Sequence, residues 1–312
     1  MSQPSVGSNS RSKLNIQGMA FEGGGVCGFA HLGALMALVE HHPDNLKDVV
    51  YLAGSSVGSV LVTLLALKIP ITMMKEFMHL FNMKDITDDK WYMLSDALRL
   101  ISRYGWNSKH NIEIMLRTYL ESITGVDYEE YTFADVYKKF GTFPIVTITN
   151  WNEGKTVYCN PKTTPDRKLL ETVRISCSYP LEFEPEIDSH GIYYCDGGIL
   201  DNFPIETLFQ HCPPESVVGF KLVSGKKTSD GQWLLEHEVK APPKDLSDYI
   251  LGLMKMIRHQ ALEVHLSKEA KARTIFINTQ DVSVLDFDLT PEQKEMLIDN
   301  GRQAVNAKLY NH

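Results

Sequence analysis

Val49-Val50-Tyr51-Leu52-Ala53-Gly54-Ser55-Ser56-Val57-Gly58 runs from an apolar segment straight into a helix-like stretch, Val60 to Leu67. Its last five residues read G-x-S-x-G. Strand, sharp turn and helix, in that order, are what a nucleophile elbow needs to lift a serine hydroxyl clear of the backbone. Small residues flanking Ser56, among them Gly54 and Gly58, let strand and helix close around a tight, strained turn. The reading makes Ser56 the nucleophile of a serine hydrolase. Val49 to Leu67 is also uncharged and nearly long enough to span a bilayer. The interruption by Gly54, Ser55, Ser56, Gly58 and Ser59 favours a buried strand followed by a buried helix.

Outward from the elbow, strands and helices alternate. Asn15 to Phe21 reads as a strand and Val26 to Glu40 as a helix. The middle, from Ile71 to Phe140, reads mainly helical, with polar breaks near Asp85–Asp89, Tyr104–Ser108 and Gly125. Further strands are expected at Pro144–Thr149, Lys155–Cys159, Ile192–Cys195, Ser216–Leu222 and Arg273–Thr279, with a closing helix from Pro291 to Leu309. Leu246, Ile250, Leu253, Ile257, Ala261 and Val264 recur at helical spacing and predict a long amphipathic helix. The expected fold is α/β: a mostly parallel central sheet flanked by helices on both faces. Residues 1–13, rich in Ser, Gly and Asn and without an apolar core segment, read as a disordered tail with no secretory signal. Residues 14–312 carry no linker or repeat and read as one domain.

Hydrophobic residues make up 43% of the 312-residue chain and charged residues 22%, ordinary values for a soluble globular protein. The net charge of −8 argues against broad nucleic-acid binding, which rests on a basic footprint. It equally disfavours simple electrostatic attachment to anionic membranes. The five cysteines are scattered, lack C-x-x-C spacing and suit a reducing, cytoplasm-like compartment without a zinc site.

Glu22-Gly23-Gly24-Gly25-Val26-Cys27-Gly28 follows the first strand and opens the first helix. Gly23, Gly25 and Gly28 also satisfy the dinucleotide spacing G-x-G-x-x-G, but that reading wants an acid ending the second strand, and here Gly54-Ser55-Ser56 stands there. The same backbone amides, converging at a helix N-terminus, can instead hold an oxyanion. A serine elbow and a glycine donor loop in the preceding strand–helix unit form a coherent pair.

Ser56 needs a proton acceptor. None of the eleven histidines stands in an evident motif, and His31 on the first helix reads as a packed structural residue. Asp196 ends the strand Tyr193-Tyr194-Cys195, and Gly197 and Gly198 after it allow close backbone approach. A strand-end carboxylate beside Ser56 could take the hydroxyl proton directly. Taken alone, Asp196-Gly197 would be read as the start of a turn.

These three segments, in this order, resemble the patatin-like phospholipases. Ser176-Cys177-Ser178-Tyr179-Pro180 and the following residues to Pro185 resemble that family's small-residue-then-proline segment. Asp196-Gly197-Gly198-Ile199-Leu200-Asp201-Asn202-Phe203-Pro204 resembles its D-G-G-x-x-x-N-x-P block. The strand Thr274-Ile275-Phe276-Ile277, the segment Phe287-Asp288-Leu289-Thr290 and the closing helix look like its bacterial-type members. The likeness extends over about residues 14–309. It implies a fold similar to the catalytic domain of cytosolic phospholipases A and a Ser56–Asp196 dyad. It further implies an oxyanion loop of Gly23, Gly24, Gly25 and Gly28, hydrolysis of fatty-acyl esters, and no metal or cofactor. Cys27 departs from the basic residue that the family often carries there. An acyltransferase or small-ester hydrolase would use the same dyad; a silent lipid-binding protein and a nucleotide-binding module are the remoter readings.

A phospholipid substrate requires an apolar cleft and transient peripheral contact with a membrane. Met73, Met74, Phe77, Met78, Leu80, Phe81 and Met83, then Trp91, Tyr92, Met93 and Leu94, could line such a cleft or act as a lid. Core packing of ordinary helices accounts for them at least as well.

Overall fold

The computed structural model describes residues 13–80, 104–107, 110–227, 233–235, 242, 249, 252, 266–280, 282–284, 286 and 288–310. The tail up to residue 12, Phe81, Met83, Trp91–Leu94 and the amphipathic-repeat residues Leu246, Ile250, Leu253, Ile257, Ala261 and Val264 lie outside the described residues.

The chain opens with β1 (Gly18–Phe21) and α1 (Gly28–His41), then β2 (Tyr51–Gly54), α2 (Val57–Ala66) and α3 (Ile71–Leu80). After β3 (Gly105–Asn107) come α4 (Asn111–Thr124), α5 (Phe133–Phe140) and the hairpin of β4 (Phe143–Asn150) and β5 (Lys155–Cys159). Then follow α6 (Leu169–Ser176), β6 (Leu181–Phe183), β7 (Glu186–Ile187), β8 (Tyr193–Asp196) and α7 (Ile205–Leu208). The last elements are β9 (Val217–Val223), β10 (Gly225–Lys227), β11 (Trp233–Leu235), α8 (Lys268–Arg273), β12 (Thr274–Asn278) and α9 (Pro291–Val305).

Eight strands form the main sheet in the order β12-β9-β1-β2-β4-β8-β7, with β5 beside β4. Neighbours from β12 to β4 are parallel, while β5, β8 and β7 join antiparallel. The expected mostly parallel sheet therefore has an antiparallel flank, and a short strand, β3, occupies the break expected near Tyr104–Ser108. Parallel strands buried on both faces carry apolar residues at successive positions. Met19, Phe21, Leu52, Val146, Ile148, Ile275 and Ile277 point into the larger core with α1, α2 and α9. Ala20, Ala53, Phe143 and Ile145 point the other way, against Phe203, Ile205, Leu208 and Ala270. Each fully buried Phe or Leu there contributes about 1.5–3 kcal/mol by leaving water. A capping box sharpens the start of α9, where Thr290 accepts from Gln293 N–H and the Gln293 side chain accepts from Thr290 N–H.

Register alone sets one relation that matters for chemistry. Val146 pairs with Gly54 on one edge of β4 and with Cys159 on the other; Ile148 pairs with Val157 and with Asp196. β2 and β8 thus follow one another along the same edge of β4, running in opposite directions. Their C-terminal residues, Gly54 and Asp196, face each other across a step of two β4 residues, about 7 Å at strand rise.

Candidate active site

Ser56 sits between β2 and α2 with φ 50° and ψ −129°, a conformation costly for any residue with a Cβ. Close packing over-determines it. A Cβ on Gly58 would stand 2.4 Å from the Phe21 carbonyl oxygen, so α2 runs against the end of β1 in a way only glycine allows. The turn is further held by Gly58 N–H donating to Ser55 O (2.8 Å), and by Ser59 N–H and Oγ both donating to Ser56 O. Ser56 N–H in turn donates to the hydroxyl of Ser176, at 2.9 Å.

Phe21 and Gly54 are in register, so the glycine loop and the elbow leave the sheet side by side. A Cβ built on Gly23 would lie 2.9 Å from Ser56 Cβ and 2.3 Å from Asn202 Oδ1. Not all amides of the loop are available to a ligand. Gly23 N–H donates to Asn202 O, Val26 N–H to Val284 O, Cys27 N–H to Gly24 O and Gly28 N–H to Gly25 O. Among the described residues, Gly24 and Gly25 are the loop amides without such an acceptor. Gly23 and Gly28 also serve close packing, Gly28 standing where a Cβ would meet Val57 Cγ2 at 2.6 Å. Gly25 has φ 50° and backs onto the Val284 carbonyl.

Beneath the loop lies a buried ion pair. Glu22 Oε1 meets Lys221 Nζ at 2.5 Å and Glu22 Oε2 accepts Leu222 N–H, both side chains being almost fully buried. The Glu22 carbonyl accepts from His31 Nε2 at 2.8 Å. His31 is therefore the packed residue the sequence suggested, holding the loop's first carbonyl. Burial pushes its pKa down from 6.5 to about 4, against the smaller effect of its bond to Glu22. Between these values the unfolded chain takes up a proton that the folded one refuses. Stability from this residue is therefore full above pH 6.5 and falls as pH drops toward 4. From pH 7.5 to pH 5, His31→Gln should lose about 2 kcal/mol less unfolding free energy than the parent. Urea unfolding at both pH values checks this, and equal losses would contradict it.

Asp196 ends β8 and is 1% exposed. Its Oδ1 accepts Gly198 N–H at 2.7 Å, its carbonyl accepts from Thr149 Oγ1, and its N–H donates to Ser178 O. A Cβ on Gly197 would strike Thr147 O at 2.3 Å, which presses the turn onto β4. Asn202 joins the two sides of the site: its Nδ2 donates to Gly23 O at 2.8 Å, and its Oδ1 lies 2.3 Å from where a Cβ on Gly198 would be. The neighbouring thiols of Cys177 and Cys195 are pushed up, the latter to about 12, first by burial and then by the Asp196 charge. Asp201 is spoken for by Tyr158 OH (2.8 Å) and Phe203 N–H. Cys27 is buried with its thiol toward Val282 O.

Asn202, Ser176 and Thr147 were not singled out from sequence as site residues. Asn202 stood in the quoted D-G-G-x-x-x-N-x-P block and Ser176 opened the quoted small-residue-then-proline segment; nothing local marks Thr147. Of the Met- and aromatic-rich stretch, Met74, Phe77 and Met78 are core residues, and Phe77 packs on Tyr119 with ring centroids 4.9 Å apart. The core-packing alternative holds for these three.

The elements around this geometry match a known family. Residues 19–209 fit the profile described as Patatin-like phospholipase, and the chain belongs to that family. It is 28% identical to an uncharacterized protein, R571, of Acanthamoeba polyphaga mimivirus, over 96% of this chain and 97% of that one. A probable lipid hydrolase, 463L, of Invertebrate iridescent virus 6 is 29% identical over 62% of this chain and 63% of its own. Among solved structures, VipD from Legionella pneumophila superimposes with a TM-score of 0.62 at 19% identity, covering 97% of this chain and 72% of VipD. The ExoU chain of the ExoU–SpcU complex from Pseudomonas aeruginosa gives 0.52 at 18%, covering 96% and 52%. At these identities the structural likeness is one of fold, and it agrees with the α/β architecture expected from sequence.

Proposed function

We propose that this protein is a lipid acyl hydrolase of phospholipase A type, working through an acyl-Ser56 intermediate. The observation that carries the reading is the strained Ser56 at the tip of its elbow, facing a glycine loop with two amides that have no acceptor among the described residues. Ser56 Oγ attacks the ester carbonyl carbon while the Asp196 carboxylate takes the hydroxyl proton. The Gly24 and Gly25 N–H groups stabilise the oxyanion, a donor of this kind contributing about 3 kcal/mol to the transition state. The proton passes to the departing alcohol oxygen, leaving Ser56 acylated. Water then gives its proton to Asp196 and attacks the acyl carbon; the fatty acid leaves as the proton returns to Ser56 Oγ. Family membership and the lipid hydrolase homologue support a hydrolase; the two-residue mechanism is our assignment from the geometry.

Release of free fatty acid and lysolipid from defined phospholipids, alongside turnover of a soluble short-chain ester, tests the reading. Activity on both supports it. Ester turnover with no release from any glycerolipid would contradict the lipid substrate, and acyl groups recovered on an added alcohol in place of water would favour the acyltransferase alternative.

Membrane contact fits aromatic residues grouped at the start of β8, the end away from Asp196. Trp151 (68% exposed) follows β4, Tyr193 begins β8, and Tyr104 meets Tyr193 edge to face at 6.4 Å. Ile187, opposite Tyr193 on β7, is also exposed. Tyr193 stands three strand residues from Asp196, about 10 Å along β8 and on the opposite face of the strand. Trp and Tyr suit a bilayer interface, with an apolar body and a polar tip. Trp151→Ala should lower turnover on phospholipid vesicles about 5- to 10-fold and leave the soluble ester unaffected, from the apolar burial an indole contributes. Equal effects on both substrates would contradict an interfacial role.

A further inference from the structure

One short segment touches both halves of the site. At the end of α6, Ser176 is fully buried and its Oγ accepts the Ser56 N–H at 2.9 Å. Two residues later the Ser178 carbonyl accepts the Asp196 N–H at 3.0 Å. Between them the Cys177 sulfur lies 3.9 Å from the hydroxyl of Ser59, on the first turn of α2. The segment is itself anchored. Ser178 Oγ donates to Arg174 O at 2.9 Å, and the buried Arg174 guanidinium pairs with Glu113 of α4 and Glu186 of β7, each at 2.7 Å. The pair with Glu186 ties α6 to the strand that flanks β8.

Ser56 holds a left-handed conformation that its own side chain disfavours, so a fixed acceptor for its N–H helps keep the hydroxyl where the turn presents it. Asp196 is linked to the same segment by its own N–H. A shift of about 1 Å between reacting groups can cost about 100-fold in rate.

We infer that Ser176 is a positioning residue for this hydrolase, and that Ser176–Ser178 is a strap fixing Ser56 relative to Asp196. The inference rests on the proposed Ser56–Asp196 dyad. Ser176 makes no contact with substrate in this account; its hydroxyl acts through the backbone of Ser56.

The experiment compares Ser176→Ala and Ser176→Thr with the parent and with Ser56→Ala on a soluble short-chain ester, with rates divided by the sites a fluorophosphonate finally labels. Loss of activity in Ser56→Ala establishes the nucleophile of the proposed dyad independently of the strap. Ser176→Ala should lower kcat about 10- to 100-fold with KM within twofold. Its initial rate of fluorophosphonate labelling should fall by a similar factor. Ser176→Thr, which keeps an oxygen acceptor, should stay within about threefold of the parent. A folded Ser176→Ala with parental kcat and labelling rate would overturn the inference, as would a Ser176→Thr as slow as the alanine variant. If Ser176→Ala does not fold, Ser176→Thr decides by the same threefold criterion. Retained activity in Ser56→Ala would instead remove the dyad itself.

Discussion

Ser56→Ala should reduce kcat on carboxylic esters by about 10⁴- to 10⁶-fold, the range expected when a nucleophile acting in concert with its base is removed. Alanine keeps a Cβ in the same strained φ, and the bonds from Gly58 and Ser59 that close the turn involve backbone and the Ser59 hydroxyl. The fold should therefore survive, and an unchanged thermal midpoint is the control. A folded variant keeping more than a few per cent of parental turnover would remove Ser56 from the mechanism.

Asp196→Asn should have the second largest effect. Asparagine matches the carboxylate in shape and its Oδ1 can still accept the Gly198 N–H, while the negative charge and the basic oxygen are lost. General base catalysis contributes about 10²- to 10⁴-fold, so kcat should fall by that factor. The measurement is steady-state turnover on a soluble ester, which avoids any change in vesicle binding. Near-parental turnover would end the dyad assignment, and His31 could not take over: it is buried with its Nε2 committed to the Glu22 carbonyl.

Much of the fold could be read because its signals are local. Lys155–Cys159 was expected as a strand and is β5; Val49–Ala53 became β2, shifted to Tyr51–Gly54; Pro291–Leu309 holds α9. The elbow and the glycine loop are local chemistry too, each complete within seven residues. What sequence did not reveal depends on distant partners. Asn202 reaches Gly23 across 179 positions, and Ser176 reaches Ser56 across 120. Which loop amides remain for a ligand follows from such partners: Asn202 and Val284 take Gly23 and Val26, and no spacing rule shows that. The direction of β8 was likewise hidden. An isolated four-residue strand carries no mark of whether it runs with or against β4, yet its antiparallel course turns Asp196 toward Gly54. Strands of two or three residues such as β3, β6 and β7 are too short to show alternation, and α6, eight residues long, is set by packing on β4 more than by its own sequence.

The central claim is covalent, and it can be met covalently. Wild-type protein treated with an alkyl fluorophosphonate and digested should carry one adduct, located by mass spectrometry on Ser56, and the adduct should vanish in Ser56→Ala. An adduct on any other side chain, persisting undiminished in Ser56→Ala, would contradict the account.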